Sequence, residues 1–160
     1  KGLIDDNLDA GNDAWKEFEA LTDRRPANWD TDQDGMPDWW EKLAGTNPSA
    51  ADNNELTDGE YTQLERYLNW LAEPHFITSA GNKLTIDLKQ YFAGYNQQPV
   101  FTLESSIQPQ EGKMKLNKKG ILTISLNKKA ADCLIDIKVK ATDKDQVASL
   151  QRTFHIAITQ

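Results

Sequence analysis

Residues 30–41 read Asp30-Thr31-Asp32-Gln33-Asp34-Gly35-Met36-Pro37-Asp38-Trp39-Trp40-Glu41, DTDQDGMPDWWE. Counted from Asp30, acidic side chains fall at positions one, three, five, nine and twelve, with glycine at six. That is the register of an EF-hand-type calcium loop. A calcium ion takes six to eight hard oxygens, so alternate carboxylates on a tightly curled loop must converge on it from one side. Gly35 permits the sharp turn. The pattern assigns Asp30, Asp32, Asp34, the Met36 carbonyl, Asp38 directly or through a water, and the two oxygens of Glu41 as ligands. Without a cation, close carboxylate pairs repel by about 1 to 4 kcal/mol each between bulk-water and surface-like dielectric. The ion expected here is structural Ca2+.

The loop feeds a helix. Pro37 suits a first helical turn, DWWEKLA follows, and Gly45 supplies a stop. Trp39 and Trp40 are neighbours and point about 100° apart, so they cannot both face one core. Two fates are open to them, aromatic packing and stacking on a sugar ring. Upstream, AWKEFEAL places Trp15, Phe18 and Leu21 on one helical face before Pro26. Downstream, Thr57 or Asp58 is expected to cap a helix whose apolar stripe is Tyr61, Leu64, Tyr67, Leu68 and Leu71, stopped by Pro74. Counting back from Glu65 yields a degraded second loop, with Asn54, Asp58, Glu60, Thr62 and Glu65 as weak ligand candidates and Leu56 where a ligand belongs.

From Phe76 onward the periodicity changes from helical to alternating. Leu84, Ile86 and Leu88 alternate with polar residues, as do Phe101 and Leu103, and Leu122, Ile124 and Leu126. Cys133, Ile135, Ile137 and Val139 keep the same period, and so do Phe154, Ile156 and Ile158. LNKKG (116–120) and LNKKA (126–130) recur ten residues apart as turn signals. Six or seven strands in this half point to an antiparallel, immunoglobulin-like or cadherin-like sandwich. The fold expected from the sequence is therefore α+β in two modules, a small helical EF-hand-like calcium module at 1–75 and an antiparallel β-sandwich at 76–160.

Charge divides the chain at the same place. Residues 1–75 hold 18 acidic and 6 basic side chains, whereas 76–160 hold 7 and 12. An acidic half argues against a nucleic-acid partner. No run of about 18 apolar residues is present, so no membrane span is expected. The single cysteine, Cys133, excludes an internal disulfide, and its alternation with apolar positions marks it as a buried small hydrophobe. Phosphate-loop, HExxH, GxSxG and CxxC patterns are absent, and His75 and His155 read as surface or hinge residues. Lys113, Lys115, Lys118, Lys119, Lys128 and Lys129 read either as a solvated hairpin edge or as a contact for an acidic polymer.

The segments GLIDDNLDAGNDAW, WDTDQDGMPDWWEKLAGTNPS and DGEYTQLERYLNWLAEP together resemble the tail that follows the catalytic β-helix in secreted bacterial pectate and polysaccharide lyases. That tail carries a loop of the bacterial thrombospondin-type-3 kind. The resemblance covers residues 1–75, and Asn53, Asn54 and Glu55 depart from the family's second acidic loop. The last 85 residues resemble cadherin-like modules of carbohydrate-active enzymes in fold type only. The resemblance implies a non-catalytic, calcium-stabilised accessory region of a secreted, periplasmic or cell-surface bacterial lyase. Its partner would be a catalytic domain N-terminal to Lys1 in the same precursor. The alternative is a carbohydrate-binding or adhesion module that meets acidic polysaccharide through Trp39, Trp40 or the lysine edge.

Overall fold

The computed structural model describes residues 25–26, 28–57, 59–92, 99–143 and 148–159. Two short helices come first, α1 (Asp38–Ala44) and α2 (Gln63–Ala72). Seven strands follow: β1 (His75–Ser79), β2 (Lys83–Asp87), β3 (Val100–Leu103), β4 (Gly112–Leu116), β5 (Ile121–Leu126), β6 (Cys133–Thr142) and β7 (Ser149–Thr159). A 3-10 turn at Leu88–Tyr91 takes the third residue of the expected Leu84–Ile86–Leu88 strand.

The strands form two sheets, one ordered β1-β7-β6-β3 and the other β2-β5-β4. A single core lies between them. Ile86, Leu122 and Ile124 meet Ile135, Ile137, Val139, Phe154, Ile156 and Ile158 there, each under a tenth exposed. Alternation explains this placement, since along a strand every second side chain turns to the same face. β6 and β7 are the longest strands and pair over their full length, from Cys133↔Ile158 to Thr142↔Ser149. All pairs are antiparallel except β1 with β7, which run parallel from His75↔His155 to Ser79↔Thr159.

In β7 the alternation breaks at Ala157, which belongs to the outward register yet is fully buried. The helices are the reason. Trp40 of α1 and Tyr67 and Trp70 of α2 pack with Met36 over Ala157, and Leu134, opposite Ala157 on β6, borders the same cluster. Ring contacts bind the layer together, with Trp40 and Tyr67 centroids 5.0 Å apart and Trp39 meeting Trp70 edge-on at 5.7 Å. The Arg66 guanidinium reaches the Ala44 carbonyl at 3.1 Å, tying α2 to the end of α1. From Trp70 the contact continues to His75 on β1, at 4.3 Å between rings.

This arrangement overturns the expected fold class. The chain is mostly β, two sheets and seven strands with only two short helices among the described residues, and not a helical EF-hand module beside a separate sandwich. Among the described residues the apolar cluster of the tryptophan-rich segment, Met36, Trp40, Tyr67 and Trp70, includes Ala157 of β7. It closes on the outer face of the β1-β7-β6-β3 sheet, with β7 supplying the floor through Ala157. The expected helix around Trp15, Phe18 and Leu21 lies outside the described residues. α1 ends as expected at Gly45, whose φ of +85° is a left-handed stop. α2 starts later than expected, capped by Thr62 and not by Thr57 or Asp58. Among the described residues no helix is long and apolar enough to cross a membrane.

Candidate metal centre

The acidic loop is built on its own backbone. Asp30 accepts from the Asp34 amide at 3.2 Å and from the Gly35 amide at 3.0 Å, which curls the chain around its carboxylate. Asp32 also accepts from the Asp34 amide, at 3.3 Å, and Asp34 Oδ1 accepts from the Met36 amide at 2.9 Å. Two left-handed residues make so tight a curl feasible, Gln33 at φ +62° and Gly35 at φ +97°. Gly35 bears its conformation without steric cost because it has no Cβ.

Two groups of carboxylates converge as a result. Oxygens of Asp30, Asp32 and Asp34 lie within 4.8 Å of one another, and so do oxygens of Asp34, Glu41 and Asp52. Asp34 belongs to both. Glu41 is fully buried and Asp34 is 7 % exposed. Three oxygens at this centre are buried without a hydrogen-bond partner, Asp32 Oδ2, Glu41 Oε2 and Asp52 Oδ1. The electrostatic consequence falls on Glu41, whose carboxyl is pushed up to about 7 by burial and by the charges of Asp32, Asp34, Asp52 and Asp38. Asp32 is likewise held above the ordinary range, by desolvation first and then by Asp34.

Of the six residues assigned from the sequence, Asp30, Asp32, Asp34 and Glu41 are brought together. Asp38 stands outside both groups. Its two oxygens accept from the Thr31 amide and the Thr31 hydroxyl, each at 2.8 Å, and these bonds hold its carboxyl below the ordinary range. Asp38 closes the loop onto the start of α1. Met36 is fully buried, its side chain in the aromatic cluster beneath α1.

Asp52 is the residue that sequence reading missed. It lies in a stretch, TNPSAADNN, whose composition signals only turns. Asp52 Oδ2 accepts from the Asn47 amide at 3.0 Å, and its Oδ1 is buried without a hydrogen-bond partner. The next residue clamps the loop from outside. Asn53 donates its amide to Asp34 Oδ2 at 3.1 Å and its Nδ2 to the Asp34 carbonyl at 2.9 Å. Two Asx residues directly after a proline-containing turn were the available signal.

The weak second loop does not assemble a comparable group among the described residues. Thr62 and Glu65 are engaged in a reciprocal capping box that starts α2. Asn54 and Glu60 are exposed, and Asp58 lies outside the described residues. The two tryptophans weighed as sugar contacts both belong to the aromatic layer. Trp40 is fully buried and offers no ring face to a ligand, and Trp39 is half-buried against Trp70. Of the two fates open to these rings, aromatic packing is the one observed.

His75 and His155 face each other in the β1–β7 register. His155 binds Asp136 at 2.6 Å and is largely covered, so it is less of a surface residue than its outward register suggested. Cys133 is half-buried and its thiol is pushed up, by desolvation first and then by Glu111 and Asp132, as befits an unreactive core-edge position.

No protein-family model matches the chain, and no curated protein matches it. Among solved structures it is similar to a nucleoside hydrolase-related hypothetical protein from Saccharophagus degradans that is associated with carbohydrate metabolism. The identity is 13%, the TM-score 0.33, and the match covers 54% of this chain and 22% of that one. A likeness so distant carries no argument about this chain's activity.

Proposed function

We propose that the acidic loop holds a structural Ca2+ ion, and that the chain is a non-catalytic accessory region of a secreted polysaccharide lyase. The ion's ligands come from Asp30, Asp32, Asp34, Glu41 and Asp52. The observation that carries the metal reading is the fully buried Glu41, whose Oε2 has no hydrogen-bond partner and whose carboxylate groups within 4.8 Å with oxygens of Asp34 and Asp52. A buried carboxylate is expensive unless paired or coordinated, and here its neighbours have the same sign. All the available donors are hard oxygens, which suits calcium and disfavours softer metals. Bound there, the cation would supply the positive charge that lets Glu41 and Asp32 ionise.

Its effect is mechanical. Asp34 and Glu41 flank the start of α1, and Asp52 brings in the turn after it, so the ion clasps three segments over the Met36 and Trp40 cluster. The lyase connection rests on the resemblance of residues 1–75. The non-catalytic reading is supported by the engagement of the acids: Asp30 and Asp38 hold backbone, and Glu41 is fully buried.

Thermal melting in calcium and in chelator tests the first part. Calcium at a hundredfold excess over Kd should stabilise the fold by about 2.7 kcal/mol, a rise of roughly 5 to 10 °C in a chain of this length. Asp34→Ala and Glu41→Gln should each remove the difference. Coincident curves for the unaltered chain would sink the calcium reading. Incubation with polygalacturonate tests the second part, since appearance of unsaturated uronate absorbance would make the chain catalytic.

A further inference from the structure

The β2-β5-β4 sheet has one face in the core and one outward. Leu84, Ile86, Leu122, Ile124, Met114 and Leu116 point in. The register then sets the outward residues in rows. Lys83, Ser125 and Lys113 make one row, and Thr85, Thr123 and Lys115 make the next. With strands about 4.8 Å apart and about 3.4 Å per residue, Lys113 and Lys115 are roughly 7 Å apart and Lys83 and Lys113 roughly 10 Å. The turns at the two ends add cations. Lys118 lies in the β4–β5 turn, and Lys128, in the β5–β6 turn, packs against Gly81 just before β2.

None of these lysines has an ion-pair partner among the described residues. On the other sheet, Lys140 meets Glu104 at 4.0 Å and Arg152 meets Glu73 at 3.9 Å. The contrast matters because lysines 7 to 10 Å apart lie within about one Debye length at 0.1 M salt and repel. Over these two rows the sheet presents lysines with the hydroxyls of Ser125, Thr85 and Thr123 between them, and one acid, Asp87, stands in the next outward row opposite Ile121.

We propose that this face docks a linear polycarboxylated polysaccharide, a chain of uronate units. Repeating carboxylates would neutralise the lysine rows, and sugar hydroxyls would meet the serine and threonine hydroxyls. Nucleic acid fits less well. The outward rows hold no aromatic ring on which a base could stack, and this face of the sheet offers no helix to enter a groove. The inference stands apart from the calcium site, which lies against the opposite sheet.

Calorimetric titration of the whole chain with an oligogalacturonate, at fixed free calcium and two salt concentrations, tests it. The unaltered chain should bind, more weakly at high salt. Combined Lys83→Glu, Lys113→Glu and Lys115→Glu should weaken binding by about tenfold or more, because fewer counterions are released. Lys138→Glu, on the other sheet, should leave it unchanged. Near-ultraviolet circular dichroism and the melting temperature check that the triple variant folds, and the milder triple Gln variant replaces it if it does not. The proposal is overturned by no binding at low salt, or by binding that survives the triple substitution. Equal affinity for a DNA oligomer of matched charge, or for a neutral galactan, overturns it as well. If the lysines serve only to keep sheet edges apart, the unaltered chain will not bind and the triple variant will aggregate, which also refutes it.

Discussion

Asn53 grips Asp34 twice, its amide on Oδ2 at 3.1 Å and its Nδ2 on the carbonyl at 2.9 Å. Nineteen residues separate the two, so this pair fastens the turn beyond α1 to the centre of the acidic loop. The same turn delivers Asp52, and the carboxylate group cannot close without it.

Asn53→Ala keeps the amide bond and loses the side-chain one. The Asp34 carbonyl is then left without that donor, and stability should fall by about 1 kcal/mol. Calcium affinity should fall with it, because Asp52 loses the anchor that follows it. Asn54→Ala serves as the control, since Asn54 is exposed and belongs only to the degraded second loop. Calcium titrations of both variants decide the matter. A larger effect at Asn54 would move the site toward the second loop.

The pH dependence of the metal-free chain has a definite sign. Glu41 titrates at about 7 when folded, against an ordinary 4.5. Between those values the folded chain keeps a proton that the unfolded chain has released, so stability declines as pH rises from about 4.5 to about 7 and levels off above. Asp32 is shifted in the same direction, so its own contribution carries the same sign. Saturating calcium should abolish the slope, because binding expels the proton. Melting curves in chelator across this range should therefore descend, and should flatten in Glu41→Gln. A rise in metal-free stability over the same range would contradict the burial of Glu41.

Trp40 joins the helices to β7. It is fully buried among Met36, Tyr67, Trp70 and Ala157, and it immediately precedes Glu41. Trp40→Ala should cost about 3 to 5 kcal/mol by opening a cavity at that junction. It should also weaken the calcium response, because α1 loses the contact that seats Glu41. Urea denaturation with and without calcium measures both. The half-buried Trp39, changed to Ala, should cost clearly less, and equal losses would mean that the helix layer is held by some other contact.

The sequence by itself determined the loop and the strands. Asp30, Asp32, Asp34 and Glu41 were legible because a twelve-residue loop converges through local geometry, with Gly35 at the turn. The inward residues of β5, β6 and β7 were legible because alternation is a local property of a strand. Tertiary structure decided the rest. Asp52 enters the carboxylate group through Asn53 and Asn47, contacts that no periodicity announces. Asp38 has the spacing of a ligand, yet it turns to Thr31 because two short hydrogen bonds, from the Thr31 amide and the Thr31 hydroxyl, already occupy its oxygens.

The division into modules failed for a similar reason. An amphipathic pattern shows that a helix has an apolar face and leaves open what covers it. Trp40, Tyr67 and Trp70 found their cover on Ala157, a small residue whose outward register gives no sign that a helix layer rests there. Only the meeting of segments more than eighty residues apart made the helices a third layer on the sheet, and with it set the place of the candidate ion.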